Sequence, residues 1–162
     1  MGTGNLYAAN DIMLEENSPD KKFFRALWLG YPPIDLSRGR EYFCYLRELT
    51  LVTWRSAHLL TFSSCPMLYK VTLSCSIHPY MFAGCLMLRE VNLSGSIDRI
   101  PEGAFANCNR LESIYIPECV KEISPLAFQG CENLRYAMVP SHLRRKACFP
   151  PCTSVQYYTP EK

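Results

Sequence analysis

One seven-residue pattern recurs along the chain and constrains its fold more than any other feature. Phe62-Ser-Ser-Cys65-Pro-Met-Leu68 returns as Phe82-Ala-Gly-Cys85-Leu-Met-Leu88, as Phe105-Ala-Asn-Cys108-Asn-Arg-Leu111 and as Phe128-Gln-Gly-Cys131-Glu-Asn-Leu134. A worn copy follows in Phe149-Pro-Pro-Cys152-Thr-Ser-Val155. Each copy leads into an alternating apolar segment. These are Leu68-x-x-Val71-x-Leu73, Leu88-x-x-Val91-x-Leu93, Leu111-x-x-Ile114-x-Ile116 and, more weakly, Leu134-x-x-Ala137-x-Val139. Upstream, Leu46-x-x-Leu49-x-Leu51 and Phe24-x-x-Leu27-x-Leu29 fit the same frame. Repeat starts therefore fall at 24, 46, 68, 88, 111, 134 and 155, at intervals of 22, 22, 20, 23, 23 and 21 residues.

A fixed period of this length predicts stacked coils of chain. Period-two alternation gives a short strand with one buried face. Every coil returns to begin the next strand, so neighbouring strands run parallel. One coil cannot bury its apolar side alone, whereas stacked coils share a continuous core. Seven coils at a strand spacing of about 4.8 Å predict a stack roughly 30 Å long. The expected fold is a leucine-rich repeat solenoid, mainly β or α/β. Its parallel strands recur every 20–23 residues, with irregular turns or short helices on the outer side.

The unit from Leu111 to Leu134 is the best formed: Ile114, Ile116-Pro117, Val120, Ile123, Ala127-Phe128 and Cys131. The unit before it matches position for position through Leu88, Val91, Leu93, Ile97, Ile100, Ala104, Phe105 and Cys108. This resembles the BspA-like leucine-rich repeats of bacterial surface proteins and of large protist families. Their consensus also carries Ile-Pro after the strand, then Val-x-x-Ile, then Ala-Phe-x-x-Cys. The resemblance implies a non-catalytic recognition or adhesion role, since that family includes surface adhesins that bind host matrix proteins.

Several segments depart from the pattern. Unit 68–87 has lost three residues between Ile77 and Phe82, and unit 46–67 places Trp54 and Arg55 where its second apolar pair should begin. Residues 1–23 carry no repeat and are expected to form a partly mobile N-terminal cap, leaving 24–162 as a single repeat domain of about seven coils. An apolar content of 48% against 20% charged residues excludes a disordered chain. The net charge of +2 argues against a protein built to grip a polyanion. The short basic run His142-Leu-Arg-Arg-Lys146 reads as a solvated turn. Neither a signal-peptide pattern nor a run of about 20 apolar residues occurs. A cytoplasmic protein is therefore expected, or a cell-surface one if the chain is a fragment. No membrane insertion, nucleic-acid partner, cofactor or metal is expected.

Nine cysteines cannot all pair internally. Five of them, Cys65, Cys85, Cys108, Cys131 and Cys152, share one repeat position. They are expected to pack as a column of small core thiols. Cys44, Cys75, Cys119 and Cys148 fall outside that column and are the candidates for exposed, oxidisable thiols. No Cys-x-x-Cys pair supports a zinc knuckle. His58, His78 and His142 occupy unlike repeat positions, so no Cys/His nucleophile pair can be read and no enzyme activity is expected.

Function in a solenoid resides on the exposed positions of its sheet. The repeat assigns one column as Trp28, Thr50, Thr72, Asn92, Tyr115 and Met138. The next column is Ala26, Glu48, Lys70, Glu90, Ser113 and Tyr136, and the third is Arg25, Arg47, Tyr69, Arg89, Glu112 and Arg135. Arg and Tyr are enriched at protein-binding hot spots. The candidate partner-binding face is therefore Trp28, Arg47, Glu48, Tyr69, Lys70, Arg89, Glu90, Asn92, Tyr115, Arg135, Tyr136 and Met138. Its alternating charge suits a protein partner better than a phosphate backbone. The rival readings are a structural spacer within a larger surface protein and a Cys-dependent enzyme. A monomer is the expected state.

Overall fold

Strands form where the period-two segments lie. A computed structural model describes residues 12–16, 24–28, 46–51, 62–95, 97–145 and 148–159, with backbone alone at 12–16 and 24–28. In chain order the strands are β1 (Ile12–Glu16), β2 (Phe24–Trp28), β3 (Leu46–Leu51), β4 (Lys70–Leu73), β5 (Glu90–Leu93), β6 (Arg99–Ile100), β7 (Ser113–Tyr115), β8 (Glu122–Ile123), β9 (Tyr136–Pro140) and β10 (Ser154–Tyr158). Strands β2 to β5 pair in parallel, each with the next, as do β7 with β9 and β9 with β10. The fold is a leucine-rich repeat solenoid of stacked parallel strands. Turns make up its outer side, and among the described residues the helical element is one 3-10 turn, Ser141–Leu143.

The repeated Phe and Cys residues hold the coils together. Phe62, Phe82, Phe105, Phe128 and Phe149 stack in sequence, with ring centroids 5.8, 5.6, 5.6 and 5.3 Å apart. The Cys85, Cys108 and Cys131 thiols donate to the Phe62, Phe82 and Phe105 carbonyls of the preceding coil, at 3.1, 3.2 and 3.0 Å. The Phe82 and Phe105 carbonyls also accept from the Cys85 and Cys108 N–H groups three residues on, both at 3.3 Å. Both lone pairs of a buried carbonyl are thus satisfied, which explains a thiol where an aliphatic side chain would also fit. Apolar columns Leu68–Leu88–Leu111–Leu134 and Val71–Val91–Ile114–Ala137 complete one continuous core.

Two residues after each Phe the chain needs a left-handed backbone. Ser64, Gly84, Asn107 and Gly130 have φ of 57°, 73°, 59° and 74°. Gly and Asn are the residues that enter this region most readily. The worn last copy has Pro151 there, and a proline ring fixes φ near −65°. Its path differs accordingly. Val155 pairs with Ala137, not with Leu134, so the strand arrives three residues earlier than the repeat start at 155 implies. The expected five-thiol column therefore stops at four. Cys152 is exposed and bonds the Glu132 and Leu134 carbonyls, with no bond to Phe128.

Other local departures also have physical causes. The three residues missing after Ile77 remove the second strand of that coil. Hence β6 and β8, which pair in parallel, have no counterpart in 68–87. Cys75, expected among the exposed thiols, is buried in this shortened coil with Ile77 and Met81. The main ladder is interrupted between β5 and β7, although the side-chain columns and the Phe82–Phe105 stack cross the gap. Strand β1 lies in the segment expected to act as a cap and pairs antiparallel with β2. The rest of that segment lies outside the described residues, as do Cys44, His58, Trp54 and Arg55.

Candidate functional site

Alternation along each strand sends one set of side chains into the core and the other to the open face. Register then brings open-face residues of successive coils side by side. Glu48, Lys70 and Glu90 are successive partners, and so are Thr50, Thr72 and Asn92. Ser113, Tyr136 and Ser154 form a second row, with Tyr115, Met138 and Gln156 beside it.

The two halves of this face differ in chemistry. In the N-terminal half two pairs of polar groups satisfy one another. Lys70 Nζ lies 2.9 Å from Glu90 Oε2, and Tyr69 Oη donates to Glu48 Oε1 at 2.6 Å. The bonded Glu90 carboxylate raises the Lys70 pKa, and the Glu48 bond raises that of Tyr69. Ser74 and Ser94 hydroxyls meet at 2.9 Å in the next row. In the C-terminal half the groups are aromatic and apolar. Tyr115, Tyr136 and Met138 are 50%, 61% and 42% exposed, which is uncommon for large side chains clustered by register. Tyr158 from β10 stacks on Tyr115 at 5.3 Å between centroids and donates from its hydroxyl to the Ile116 carbonyl at 2.8 Å. Burial, followed by its contact with Tyr115, raises the Tyr158 pKa.

The structure thus brings Glu48, Tyr69, Lys70, Glu90 and Asn92 onto one half of the sheet, and Tyr115, Tyr136 and Met138 onto the other. Arg47 is half-buried beside Glu48, while Arg89, Glu112 and Arg135 are exposed in the third column. Trp28 does not join the Thr50 column. A register shift between Phe24 and Arg25 sets Trp28 opposite Leu51, a buried position, and Leu27 opposite Thr50. Repeat counting missed Tyr158 altogether. Its signal was Phe149, which marks a last coil whose strand should also contribute to the face.

Remaining candidate chemistry has structural roles. His142 Nε2 donates to the Val120 carbonyl at 2.8 Å, and Arg144 of the basic run lies 4.8 Å from the Tyr157 ring centre. Burial pushes the Cys75 and Cys131 thiols up to about 11 and raises that of Cys108 as well. A buried thiol that keeps its proton is a poor nucleophile. Among the described residues no three His, Cys, Asp or Glu side chains converge as metal ligands would, and no helix is long and apolar enough to cross a membrane.

A stack of Phe-x-x-Cys coils whose successive strands pair in parallel defines a leucine-rich repeat protein. Residues 42–156 match the family described as the BspA-type leucine-rich repeat region, in six copies, and the chain belongs to that family. Among solved structures it is similar to a leucine-rich cell surface protein from Faecalibacterium prausnitzii A2-165. The TM-score is 0.55 and the identity 21%, over 93% of this chain and 38% of that one. It is also similar to the T. pallidum leucine-rich repeat protein, with a TM-score of 0.52 and 20% identity over 81% of this chain and 70% of that one. At these identities the likeness establishes the fold. The chain spans well under half the length of the Faecalibacterium protein. No curated protein sequence matches it.

Proposed function

We propose that the chain is a non-catalytic protein-recognition module whose binding surface is the C-terminal half of the sheet face. The supporting observation is the cluster of Tyr115, Tyr136 and Met138, left exposed beside each other while Lys70 and Glu90, and Tyr69 and Glu48, are paired in the N-terminal half. Exposed tyrosines held on rigid strands supply contact area at low entropic cost and are common binding anchors. Arg135 directly precedes Tyr136, and its exposed cation, like that of Arg89, can meet acidic groups of a partner. Membership of a family of repeat arrays, and the cell-surface description of the Faecalibacterium protein, fit a binding role over an enzymatic one.

Affinity capture with the wild-type chain and two variants tests this reading. Tyr115→Ala combined with Tyr136→Ala and Arg89→Ala should lose the captured partner while melting like wild type. Glu48→Ala combined with Lys70→Ala should retain it. Identical partner sets from all three proteins would eliminate the sheet face as the binding surface. A spacer role in a larger surface protein is the second reading, favoured by the short span of this chain along the Faecalibacterium protein. It predicts no partner for any of the three. Counting free thiols in natively isolated protein bears on the compartment. All nine reduced would support a cytoplasmic protein, and paired or capped thiols a surface one.

A further inference from the structure

The thiol column is not uniform along its length. Cys85 donates to the Phe62 carbonyl at 3.1 Å, as Cys108 and Cys131 do to theirs, and it also shares a side-chain hydrogen bond with Cys65. The two turns that carry this pair lie directly on each other. The Phe62 N–H donates to the Met81 carbonyl and the Ser64 N–H to the Ala83 carbonyl, both at 2.7 Å. The Phe62 and Phe82 rings stack at 5.8 Å beside them. Coils at about the 4.8 Å strand spacing hold equivalent Cα atoms inside the roughly 4.4–6.8 Å range that a disulfide spans. Both thiols are buried, yet each sits one residue beneath the surface. Ser64 and Pro66 flank Cys65 and are exposed, as is Leu86 next to Cys85.

Their chemistry separates them from the other buried thiols. The Cys65 hydrogen bond holds Cys85 below the ordinary thiol value, against the opposing effect of burial and with help from the Cys65 and Ser64 backbone. At Cys75, Cys108 and Cys131 burial dominates and raises the thiol. Among these four, Cys85 is the easiest to ionise, and it ionises beside a second sulfur. Thiolate character next to a resolving Cys is what makes a thiol sensitive to peroxide.

We infer that Cys65 and Cys85 form an oxidisable dithiol, which hydrogen peroxide converts to a disulfide tying the β3 coil to the β4 coil. The Cys85 thiolate attacks one peroxide oxygen and the O–O bond breaks. A sulfenic acid forms on Cys85, and the departing hydroxide takes up the proton that the thiol released, giving water. The Cys65 sulfur then attacks the Cys85 sulfur. The S–S bond forms, the S–O bond breaks, and hydroxide leaves with the Cys65 proton as a second water. The thiols lose two electrons and the peroxide gains them. Oxidation also removes the proton that Cys85 gives to the Phe62 carbonyl, so one hydrogen bond is exchanged for a covalent tie between coils. The inference is independent of the sheet-face reading.

Peptide mapping of the intact, fully reduced chain tests it. After treatment with equimolar hydrogen peroxide, remaining thiols are alkylated in denaturant and linked peptides are sequenced by mass spectrometry without reduction. A Cys65–Cys85 link should accumulate about tenfold or more faster than any link among Cys85, Cys108 and Cys131, and dithiothreitol should reverse it. Cys65→Ser keeps a donor beside Cys85 but removes the resolving sulfur. Oxidation of that variant should stop at a Cys85 sulfenic acid, captured by dimedone. Absence of the Cys65–Cys85 link in the native chain overturns the proposal. So do links that form equally fast elsewhere in the column, a link that appears only after unfolding, and a Cys65→Ser chain whose Cys85 is neither captured by dimedone nor oxidised.

Discussion

Each of Cys85, Cys108 and Cys131 serves the Phe of the coil before it. Its thiol fills a small apolar space and supplies the donor that a buried carbonyl requires. Burial has a further consequence, because Cys75 and Cys131 are pushed from 9.0 up to about 11. Between these values the folded chain keeps protons that the unfolded chain releases. The stability these thiols contribute is whole below about pH 9 and is lost as pH rises toward 11. Urea melts should therefore show stability falling across that window. The fall should be shallower in a Cys75→Ala, Cys131→Ala variant. Equal slopes in variant and wild type would mean that other groups control the alkaline limit. The thiol column was legible in the sequence because its spacing repeats. The burial of Cys75 was not, because it follows from a three-residue deletion whose effect on packing is three-dimensional.

At the scale of elements, the turn after each Phe decides whether a coil keeps its register. Gly130 has φ of 74°, and a Cβ there would lie 2.1 Å from Asn107 Oδ1; at Gly84 it would lie 3.1 Å from Ser64 Oγ. Both positions carry the left-handed strain, and the first adds a contact that only a shift of the Asn107 side chain relieves. Gly130→Ala should therefore cost more than about 1 kcal/mol in denaturant melts, and more than Gly84→Ala. Equal losses would show that backbone strain alone matters. Pro151 makes the same point within the natural sequence. Where the left-handed turn cannot form, the coil shortens, Cys152 leaves the column and Tyr158 is carried across to Tyr115. A proline in the turn is visible to a reader of the sequence; the three-residue slip it causes is not. The one-residue shift that moves Trp28 opposite Leu51 is likewise a matter of pairing, and Phe24-x-x-Leu27 gives no warning of it.

Across the whole molecule, stability is a sum over neighbouring coils. A central coil has two neighbours and a terminal one has a single neighbour. Phe105 illustrates the difference, with stacked rings on both faces, whereas among the described residues Phe149 stacks with Phe128 alone. Hydrogen exchange should therefore be slowest in the coils spanning 88–134 and faster in β1 and β10. Uniform protection along the chain would contradict a nearest-neighbour stack. Solvent-exposed chemistry divides at the same scale. In the N-terminal half of the face Lys70 pairs with Glu90 and Tyr69 with Glu48, and the C-terminal half presents Tyr115, Tyr136 and Met138.

The period, the core columns and the solenoid itself were determined by the sequence alone. They depend on local spacing, and one buried pattern repeated in near-register admits one way of stacking. Which face residues stand together and where the ladder breaks were decided by the tertiary structure. These depend on contacts between coils some twenty residues apart, where a single proline or a short deletion shifts the partners without disturbing the repeat that a reader can count.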